Sequence, residues 1–188
     1  PEHHAEAPKI DPYILGAYLS EGRVHVGRGA DCGPAFLEMI SSVAPGEAHQ
    51  KRLNFDFMFI EEKAYLGDLL AGMIDGDGAV SKATGGAKIT LHTSSFILAQ
   101  QASLICHKLK LPYNIRLATD LEGIQTGHMP NPFVVEIKLT AGAKLLLKSS
   151  SKVSNEDGWF DGQDNDPVYN FPSPVTINRE VDLGRDRY

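Results

Sequence analysis

Two nine-residue segments of the chain share one pattern of apolar residues, glycines and acids. Residues 14–22 read Ile-Leu-Gly-Ala-Tyr-Leu-Ser-Glu-Gly, and residues 70–78 read Leu-Ala-Gly-Met-Ile-Asp-Gly-Asp-Gly. Both have glycine at the third and ninth places and an acid at the eighth place, which is Glu21 in the first segment and Asp77 in the second. Two carboxylates delivered by a duplicated helix can build a two-carboxylate site for a divalent metal ion.

The residues between the acids indicate how the two segments are arranged. Leu15, Leu19 and Met73 belong to apolar faces with helical spacing. Gly16 and Gly72 stand at matching places, where the lack of a side chain lets two helix backbones approach closely. We therefore expect two helices that pack on each other, with two unrelated core helices as the alternative.

The acids stand in an unfavourable position for isolated helices. Gly22 and Gly78 occupy the place at which a glycine often follows the last helical residue, so Glu21 and Asp77 fall in the last turns. The helix dipole disfavours a carboxylate there by roughly 0.3–1 kcal/mol unless a cation compensates. A divalent metal is the simplest compensation, and the predicted metal site comprises Glu21, Asp77 and the glycine after each.

Two other ligand-binding motifs are excluded. A calcium loop that begins at Asp75 would need an oxygen ligand at its fifth place and Glu at its twelfth, but these places hold Ala79 and Gly86. The glycine-rich residues 21–29 lack both the Gly-Lys-Ser/Thr ending of a phosphate loop and the GxGxxG spacing of a dinucleotide site. We interpret residues 21–29 as a turn and a strand.

The second half of the chain has the pattern of a sheet covered by a helix. Apolar and polar residues alternate over residues 88–93 and over most of 134–139, which is typical of strands with one buried face. Apolar residues recur at helical spacing over residues 96–109, with Ser94 or Ser95 as the N-cap, and Pro112 stops this helix. One sheet face is expected to meet the core, and the other solvent or a ligand.

These features resemble the LAGLIDADG homing endonucleases, of the two-motif monomer, intein-encoded type. Residues 70–78 depart from the family's name motif only at Met73 and Gly76, and residues 14–22 are a looser copy. After Asp77, strands at 79–82 and 88–94, a helix to Lys110, strands at 113–118 and 133–139, and a helix at 141–147 reproduce the family's αββαββα unit. The resemblance covers about residues 11–152 and implies an α+β fold of pseudo-symmetric αββαββα repeats, with the motif helices packed at the repeat interface.

The first repeat is abbreviated by comparison with the second. Only 56 positions separate Glu21 from Asp77. This stretch offers one helix at residues 35–43 and short strands at 23–27 and 52–60, so a hairpin is missing or shortened. We divide the chain into an N-terminal segment with the shortened repeat (1–66), a complete repeat (67–152) and an acidic, turn-rich extension or linker (153–188).

The resemblance implies hydrolysis of phosphodiester bonds in double-stranded DNA with Mg²⁺, held by Glu21 and Asp77. It also implies a basic residue near each carboxylate that polarises the attacked phosphate or the attacking water. By position these are Lys51 or Arg52 for the first and Lys152 for the second, although a lysine at a helix end also serves as a favourable dipole partner. Asp75 is interpreted as a structural residue on the side of the helix.

Charge is distributed unevenly along the chain, whose formal net charge is −6. Residues 1–79 carry −7, residues 80–152 carry +6 and residues 153–188 carry −5. Basic residues in the strands of the second repeat can contact phosphates and base edges in a major groove, with a solvated sheet face as the alternative. The predicted DNA-binding residues are Lys82, Lys88, His92, Arg116 and Lys138.

The remaining features concern compartment and partners. Cys32 and Cys106 lie far apart without zinc-ligand spacing, which favours reduced core thiols and a cytoplasmic location. No apolar run approaches the roughly 20 residues of a membrane span. The chain begins with Pro1 instead of Met, so we expect Pro1 to be an internal position created by processing, excision or cloning. The resemblance implies a monomer (pseudo-dimer) or a domain of a larger intein-containing protein.

Three functions are compatible with the sequence. The first is an active homing endonuclease. The second is a catalytically degenerate descendant of the same fold that binds DNA or acts as a scaffold, which the short first repeat and the acidic flanks favour. The third is an unrelated α+β protein with accidental segments, in which Glu21 and Asp77 would lie far apart.

Overall fold

The computed structural model describes residues 7–21, 34–46, 48–83, 86–118 and 133–154. The predicted order of helices and strands from residue 70 to residue 147 is confirmed, from the motif helix to the short helix after the last strand. The elements in chain order are α1 (Pro12–Glu21), α2 (Pro34–Val43), two 3₁₀ helices (Ala48–Gln50 and Phe55–Phe59), α3 (Lys63–Asp77), β1 (Gly78–Ala83), β2 (Gly86–Thr93), α4 (Phe96–Lys108), β3 (Tyr113–Leu117), β4 (Phe133–Lys138), α5 (Ala141–Leu146) and α6 (Ser151–Ser154).

Helices α1 and α3 pack closely through their matching glycines. A Cβ atom built on Gly16 would lie 2.0 Å from the Leu69 carbonyl oxygen, and one built on Gly72 would lie 2.0 Å from the Tyr13 carbonyl oxygen. Leu15 is fully buried beside this crossing, and burial of a leucine side chain contributes roughly 1.5–3 kcal/mol. The prediction that the two motif helices pack on each other is confirmed.

Helix α3 lies at the centre of the fold. Its residues from Tyr65 to Ile74 are buried, apart from Asp68. The helix contacts α1, the strands β1 and β2, and the helices α4, α5 and α6. Because it is covered on nearly every side, α3 has no simple amphipathic stripe and is apolar around most of its circumference.

The described strands form a four-stranded antiparallel sheet in the order β1-β2-β4-β3. Ile89 faces Ile137, and Leu91 faces Val135. These four side chains are buried in the main core, on the side of the sheet that α3 and α4 cover. The residues that alternate with them lie on the opposite side of the sheet, which we call the open face. In β2 and β4 these are Lys88, Thr90, His92, Val134, Glu136 and Lys138.

Helix α4 begins with the cap that the sequence predicts. The hydroxyl of Ser95 accepts a hydrogen bond from the backbone N–H of Leu98 at 3.2 Å. This bond satisfies one of the unpaired donors at the helix start. The buried thiol of Cys106 lies in this helix, and burial raises its pKa to about 12. The expectation of a core thiol is confirmed for Cys106, whereas Cys32 lies outside the described residues.

The first half of the chain departs from the prediction at one element. Helix α2 is confirmed, but the predicted strand at residues 52–60 is wrong, because this segment contains the 3₁₀ helix Phe55–Phe59. Its backbone groups find partners other than a strand, since Asn54 N–H bonds to the Val43 carbonyl and Phe57 N–H to the Asn54 carbonyl. The predicted strand at 23–27 lies outside the described residues.

The apolar alternation at residues 53–59 explains the wrong prediction. Leu53 and Phe57 are buried, but Phe55 is 73% exposed although its place in the alternation is the same. Alternate aromatic residues therefore do not share one face here. Within the described part of the chain, no helix combines the length and the apolar character needed to cross a membrane.

Candidate active site

Helices α1 and α3 bring their C-terminal ends to one recess. Ser20, in the last turn of α1, and Asp77, the last residue of α3, both line it. His92 and Thr93 at the end of β2 complete its polar lining, together with apolar residues of α3, α4 and the sheet. Asp77 is exposed to solvent, so a ligand outside the protein can reach its carboxylate.

Glu21 ends α1 next to Ser20, but its side chain lies outside the described residues, and so does Gly22. The structure places the end of α1 beside the recess that Asp77 lines, which is the arrangement that a shared site requires. The assignment of Glu21 and Gly22 to the metal site stays a prediction.

Lys51 is a buried cation at the end of α1. Its side chain is 7% exposed, and Nζ donates to the Tyr18 carbonyl oxygen at 3.3 Å. Nζ also lies 5.6 Å from the centre of the Tyr18 ring, within the range of a cation–π interaction. Burial lowers the pKa of Lys51, and the negative charge of Asp77 opposes this change. The amine is therefore electrostatically coupled to the candidate catalytic carboxylate.

The peptide that carries Lys51 is held by α4. The hydroxyl of Ser95 donates to the Lys51 carbonyl oxygen at 2.6 Å. The amide of Gln101 pairs with Leu53, accepting from its N–H and donating to its carbonyl oxygen, both at 2.8 Å. This role of Gln101 was not predicted from the sequence. A glutamine among the buried residues of α4, between Leu98 and Ile105, could have indicated a buried hydrogen-bond partner.

Arg52, the alternative to Lys51, is exposed. Its backbone N–H bonds to the Pro45 carbonyl oxygen. The two neighbouring cations therefore differ in position: the amine of Lys51 is buried at the end of α1, whereas the side chain of Arg52 is exposed. The catalytic role predicted for either residue is not tested by this difference.

Lys152 occupies the corresponding place at the end of α3. Its Nζ donates to the carbonyl oxygens of Gly76 and Gly78 at 3.0 and 2.7 Å. These two carbonyls flank Asp77 along the chain. A lysine here offsets the negative end of the helix dipole, which is the structural role weighed for it from sequence. It also places a positive charge beside Asp77, as a catalytic role would require.

Asp75 is bound by four hydrogen-bond donors. Oδ2 accepts from the Tyr13 hydroxyl and the Ser151 N–H, both at 2.7 Å. Oδ1 accepts from the Ser150 hydroxyl at 2.5 Å and the Lys152 N–H at 3.2 Å. Burial raises the pKa of Asp75, but these hydrogen bonds outweigh burial and hold the pKa below its usual value. The interpretation of Asp75 as a structural residue is confirmed.

The open face of the sheet carries most of the predicted DNA-binding residues. Lys88 and Lys138 face each other across β2 and β4, and His92 lies on the same face at the end of β2. Arg116 lies opposite Val134 on this face. Lys82 pairs with Ala87, so its register position belongs to the other side of the sheet. Lys82 is nevertheless exposed.

The carboxylate of Glu136 neutralises part of the positive charge on the open face. Glu136 Oε1 accepts from Lys88 Nζ at 2.8 Å and from Arg116 Nε at 3.0 Å. Burial raises the pKa of Glu136, but the hydrogen bonds and charges of Lys88 and Arg116 outweigh it and hold the pKa low. Glu136 stays ionised at neutral pH and neutralises part of the positive charge, and this pairing was not predicted from the sequence.

The donors near the recess fit a magnesium ion in part. Mg²⁺ in proteins takes one or two carboxylates and keeps several waters, and exposed Asp77 supplies one such carboxylate. The Gly78 carbonyl oxygen already accepts from Lys152, so a metal there would share this oxygen. Among the described residues, no group of three or more His, Cys, Asp or Glu side chains could hold a metal ion.

One part of the chain matches a known family. Residues 64–127 match the model of the LAGLIDADG-like domain, and they include α3 from residue 64 onward, β1, β2, α4 and β3. This segment is about a third of the chain and contains Asp77 and the whole of the second motif. No curated protein matches the chain. The match supports the LAGLIDADG resemblance and an α+β fold, and LAGLIDADG domains suggest a homing endonuclease or a related DNA-binding fold.

Two features of the LAGLIDADG resemblance extend beyond this match. The first motif, at residues 14–22, and the basic residue Lys152 both lie outside residues 64–127. The two-motif arrangement, the repeat symmetry and the intein-encoded type therefore stay predictions.

Proposed function

We propose that the chain is a site-specific endonuclease that hydrolyses phosphodiester bonds in double-stranded DNA. The observation that carries this proposal is the place of Asp77, the motif carboxylate, which is exposed in the recess that the ends of α1 and α3 share. Lys51 and Lys152 approach this end of the molecule from two different elements. A carboxylate with cations nearby is what phosphodiester hydrolysis requires.

The proposed site would hold Mg²⁺ through Asp77 and Glu21, and the ion would supply Lewis-acid activation of water and stabilise the leaving oxygen. Lys51 and Lys152 would stabilise the negative charge that develops on the attacked phosphate. Lys88, Arg116, Lys138 and His92 on the open face would contact the DNA backbone and base edges. Antiparallel strands can enter a major groove for this purpose.

We infer that the chain acts as a monomer. Helix α1 occupies the face of α3 that contains Gly72. A second copy of α3 therefore cannot pack there without displacing α1. Sedimentation of the chain on its DNA should give a complex of one chain per duplex, and a complex of two chains would contradict this inference. The alternative is that the chain functions as a domain of a larger intein-containing protein.

The test of the function is cleavage of a randomised double-stranded DNA library with Mg²⁺. The wild-type chain should select and cut a defined site, and Asp77→Asn should abolish the cutting because a neutral amide is a poor metal ligand. Asp56→Asn is the matched control, since Asp56 is exposed on the 3₁₀ helix at residues 55–59. Cutting that survives Asp77→Asn would contradict the assignment of Asp77.

A second candidate function is DNA binding or scaffolding without cleavage. The short first repeat, with only 56 positions between Glu21 and Asp77, and the acidic residues 1–79 and 153–188 favour it. Salt-sensitive binding of the library without cutting would support this candidate and contradict the endonuclease.

A further inference from the structure

The carboxylate of Asp75 joins three helices. It accepts from Tyr13 of α1, and from Ser151 and Lys152 in the first turn of α6, while its own backbone belongs to α3. The fourth donor is the hydroxyl of Ser150, which directly precedes α6 and is fully buried. Each carboxylate oxygen accepts two hydrogen bonds, so both are fully used by the fold.

The same contacts fix Lys152 at two points. Its backbone N–H is bound to Asp75, and its Nζ is bound to the carbonyl oxygens of Gly76 and Gly78. The residue between these two glycines is Asp77. The side chain of Lys152 thus lies along the end of α3, against the backbone carbonyls on both sides of Asp77.

Helix α6 depends on this anchor. It has only four residues, Ser151–Ser154, and a helix of that length does not persist without tertiary contacts. Besides the Asp75 bonds, α6 is held by the Lys152 Nζ bonds to Gly76 and Gly78, by the bonds of the Val153 and Ser154 N–H groups to Ser150, and by packing of the buried Val153 side chain and of the helix against α3 and β1. Among these contacts, the Asp75 carboxylate is the one that binds the backbone N–H groups of Ser151 and Lys152, so its loss would loosen the backbone of the first turn.

We propose that Asp75 is a positioning residue that holds Lys152 beside Asp77 by anchoring the first turn of α6. The position of Lys152 follows from the hydrogen bonds alone. Its consequence for catalysis rests on the proposed endonuclease function. Asp75 is not a catalytic residue in this proposal, because its carboxylate oxygens face donors of the protein and not a substrate.

The first test measures the position of Lys152 without any activity. Lysines are labelled with an amine-reactive reagent and the rate at each site is read by mass spectrometry. In Asp75→Asn a donor amide nitrogen replaces one of the acceptor oxygens, so hydrogen bonds to the first turn of α6 are lost. Loss of hydrogen bonds to a charged group should raise the labelling rate of Lys152 by about tenfold. Lys148, which is exposed, should keep its rate.

Two milder variants distinguish a local change at Lys152 from a general folding defect. Ser150→Ala removes one donor and should raise the labelling of Lys152 by several-fold. Ser149→Ala is the matched control, because the Ser149 hydroxyl donates to Asp68 instead of Asp75. Buried Lys51 reports global unfolding, so its labelling should not change. An unchanged rate at Lys152 in both Asp75→Asn and Ser150→Ala would overturn the proposal.

The second test separates binding from chemistry. In Ser150→Ala and Asp75→Asn the single-turnover cleavage rate should fall at least tenfold, while the Kd for DNA should change less than twofold. Faster labelling of Lys152 with an unchanged cleavage rate would overturn its catalytic consequence. A wild-type chain that binds but does not cut DNA would overturn the proposed function, and the labelling result would still decide the positioning role of Asp75.

Discussion

Lys51 lies in an environment that folding alone does not explain. A buried ammonium group carries a desolvation cost, and within the described part of the chain this one meets a carbonyl oxygen, the face of an aromatic ring and the negative charge of Asp77. Lys108 shows how this chain holds a structural lysine, since its Nζ donates to Met58 O, Ile60 O and Glu61 Oε1 at 2.6, 2.9 and 2.7 Å. Lys51 is therefore a candidate for a residue kept for function at the expense of stability.

We predict that Lys51→Met stabilises the fold and abolishes cleavage of DNA. Methionine fills a similar volume without a charge, so the free energy of unfolding should rise by about 1 kcal/mol. Cleavage of DNA should be lost, because the amine coupled to Asp77 is removed. Urea unfolding and the library assay measure the two effects.

Lys108→Met is the matched control for this prediction. It removes three hydrogen bonds from one ammonium group, so unfolding should become easier by about 2 kcal/mol. A loss of stability in Lys51→Met as large as that in Lys108→Met would show that Lys51 is structural. Retained cleavage in Lys51→Met would contradict its catalytic role.

At the scale of elements, the α1–α3 crossing decides where the candidate site lies. The two helices touch backbone to backbone at Gly16 and Gly72, so there is no side chain at the contact that could yield to a larger residue. This close approach places the two C-terminal ends at one recess. The position of the site is thus a consequence of two glycines that take no part in its chemistry.

The prediction at this scale is that Gly16→Ala destabilises the fold strongly. The added Cβ would lie 2.0 Å from the Leu69 carbonyl oxygen and 2.8 Å from the Met73 nitrogen, so the helices must separate. We expect a loss of about 3 kcal/mol in the free energy of unfolding. Thermal or urea unfolding of the purified variant measures it.

Gly142→Ala in α5 is the matched control. The nearest atom to an added Cβ there is Thr140 Oγ1 at 3.8 Å, so the substitution should stabilise the helix by roughly 0.5–1 kcal/mol. If Gly16→Ala behaved like Gly142→Ala, the close crossing of α1 and α3 would be contradicted.

At the scale of the whole molecule, positive charge is concentrated in one part of the sequence, and a carboxylate neutralises some of it on the sheet. Residues 80–152 carry +6 in a chain whose net charge is −6. On the open face, Glu136 pairs with Lys88 and Arg116. DNA phosphates would have to compete with this carboxylate for the same cations, so Glu136 is expected to weaken binding while fixing the orientation of the two basic side chains.

We therefore predict that Glu136→Gln tightens DNA binding. The dissociation constant at low salt should fall by about fivefold to tenfold, and the slope of log K against log salt should steepen by about one, because one more phosphate contact is made. Fluorescence anisotropy over a series of salt concentrations measures both quantities.

Glu61→Gln is the control, because it changes the net charge equally. Glu61 pairs with Lys108 of α4, on the side of the sheet opposite the open face. Its substitution should leave the salt slope unchanged. Equal effects of the two variants would mean that net charge alone, and not the open face, governs binding.

The sequence by itself determined the second half of the fold and the contact between the two motif helices. The motif helix, the alternating strands, the Ser95 cap of α4 and the glycine-mediated contact of α1 with α3 follow from local periodicity and residue type, and these signals act over short stretches of chain. The candidate carboxylate Asp77 and its neighbour Lys152 were likewise found from spacing and resemblance.

Only the tertiary structure decided which backbone and side-chain groups are partners. The segment predicted as a strand at residues 52–60 instead bonds through Leu53 to the side chain of Gln101, 48 positions away, and continues as the 3₁₀ helix Phe55–Phe59. The four donors on Asp75 and the pairing of Glu136 with Lys88 and Arg116 also join residues distant in sequence. Hydrogen bonds and ion pairs depend on distances of about 3 Å between atoms, and local patterns in a sequence carry no information on which distant groups the folded chain brings that close.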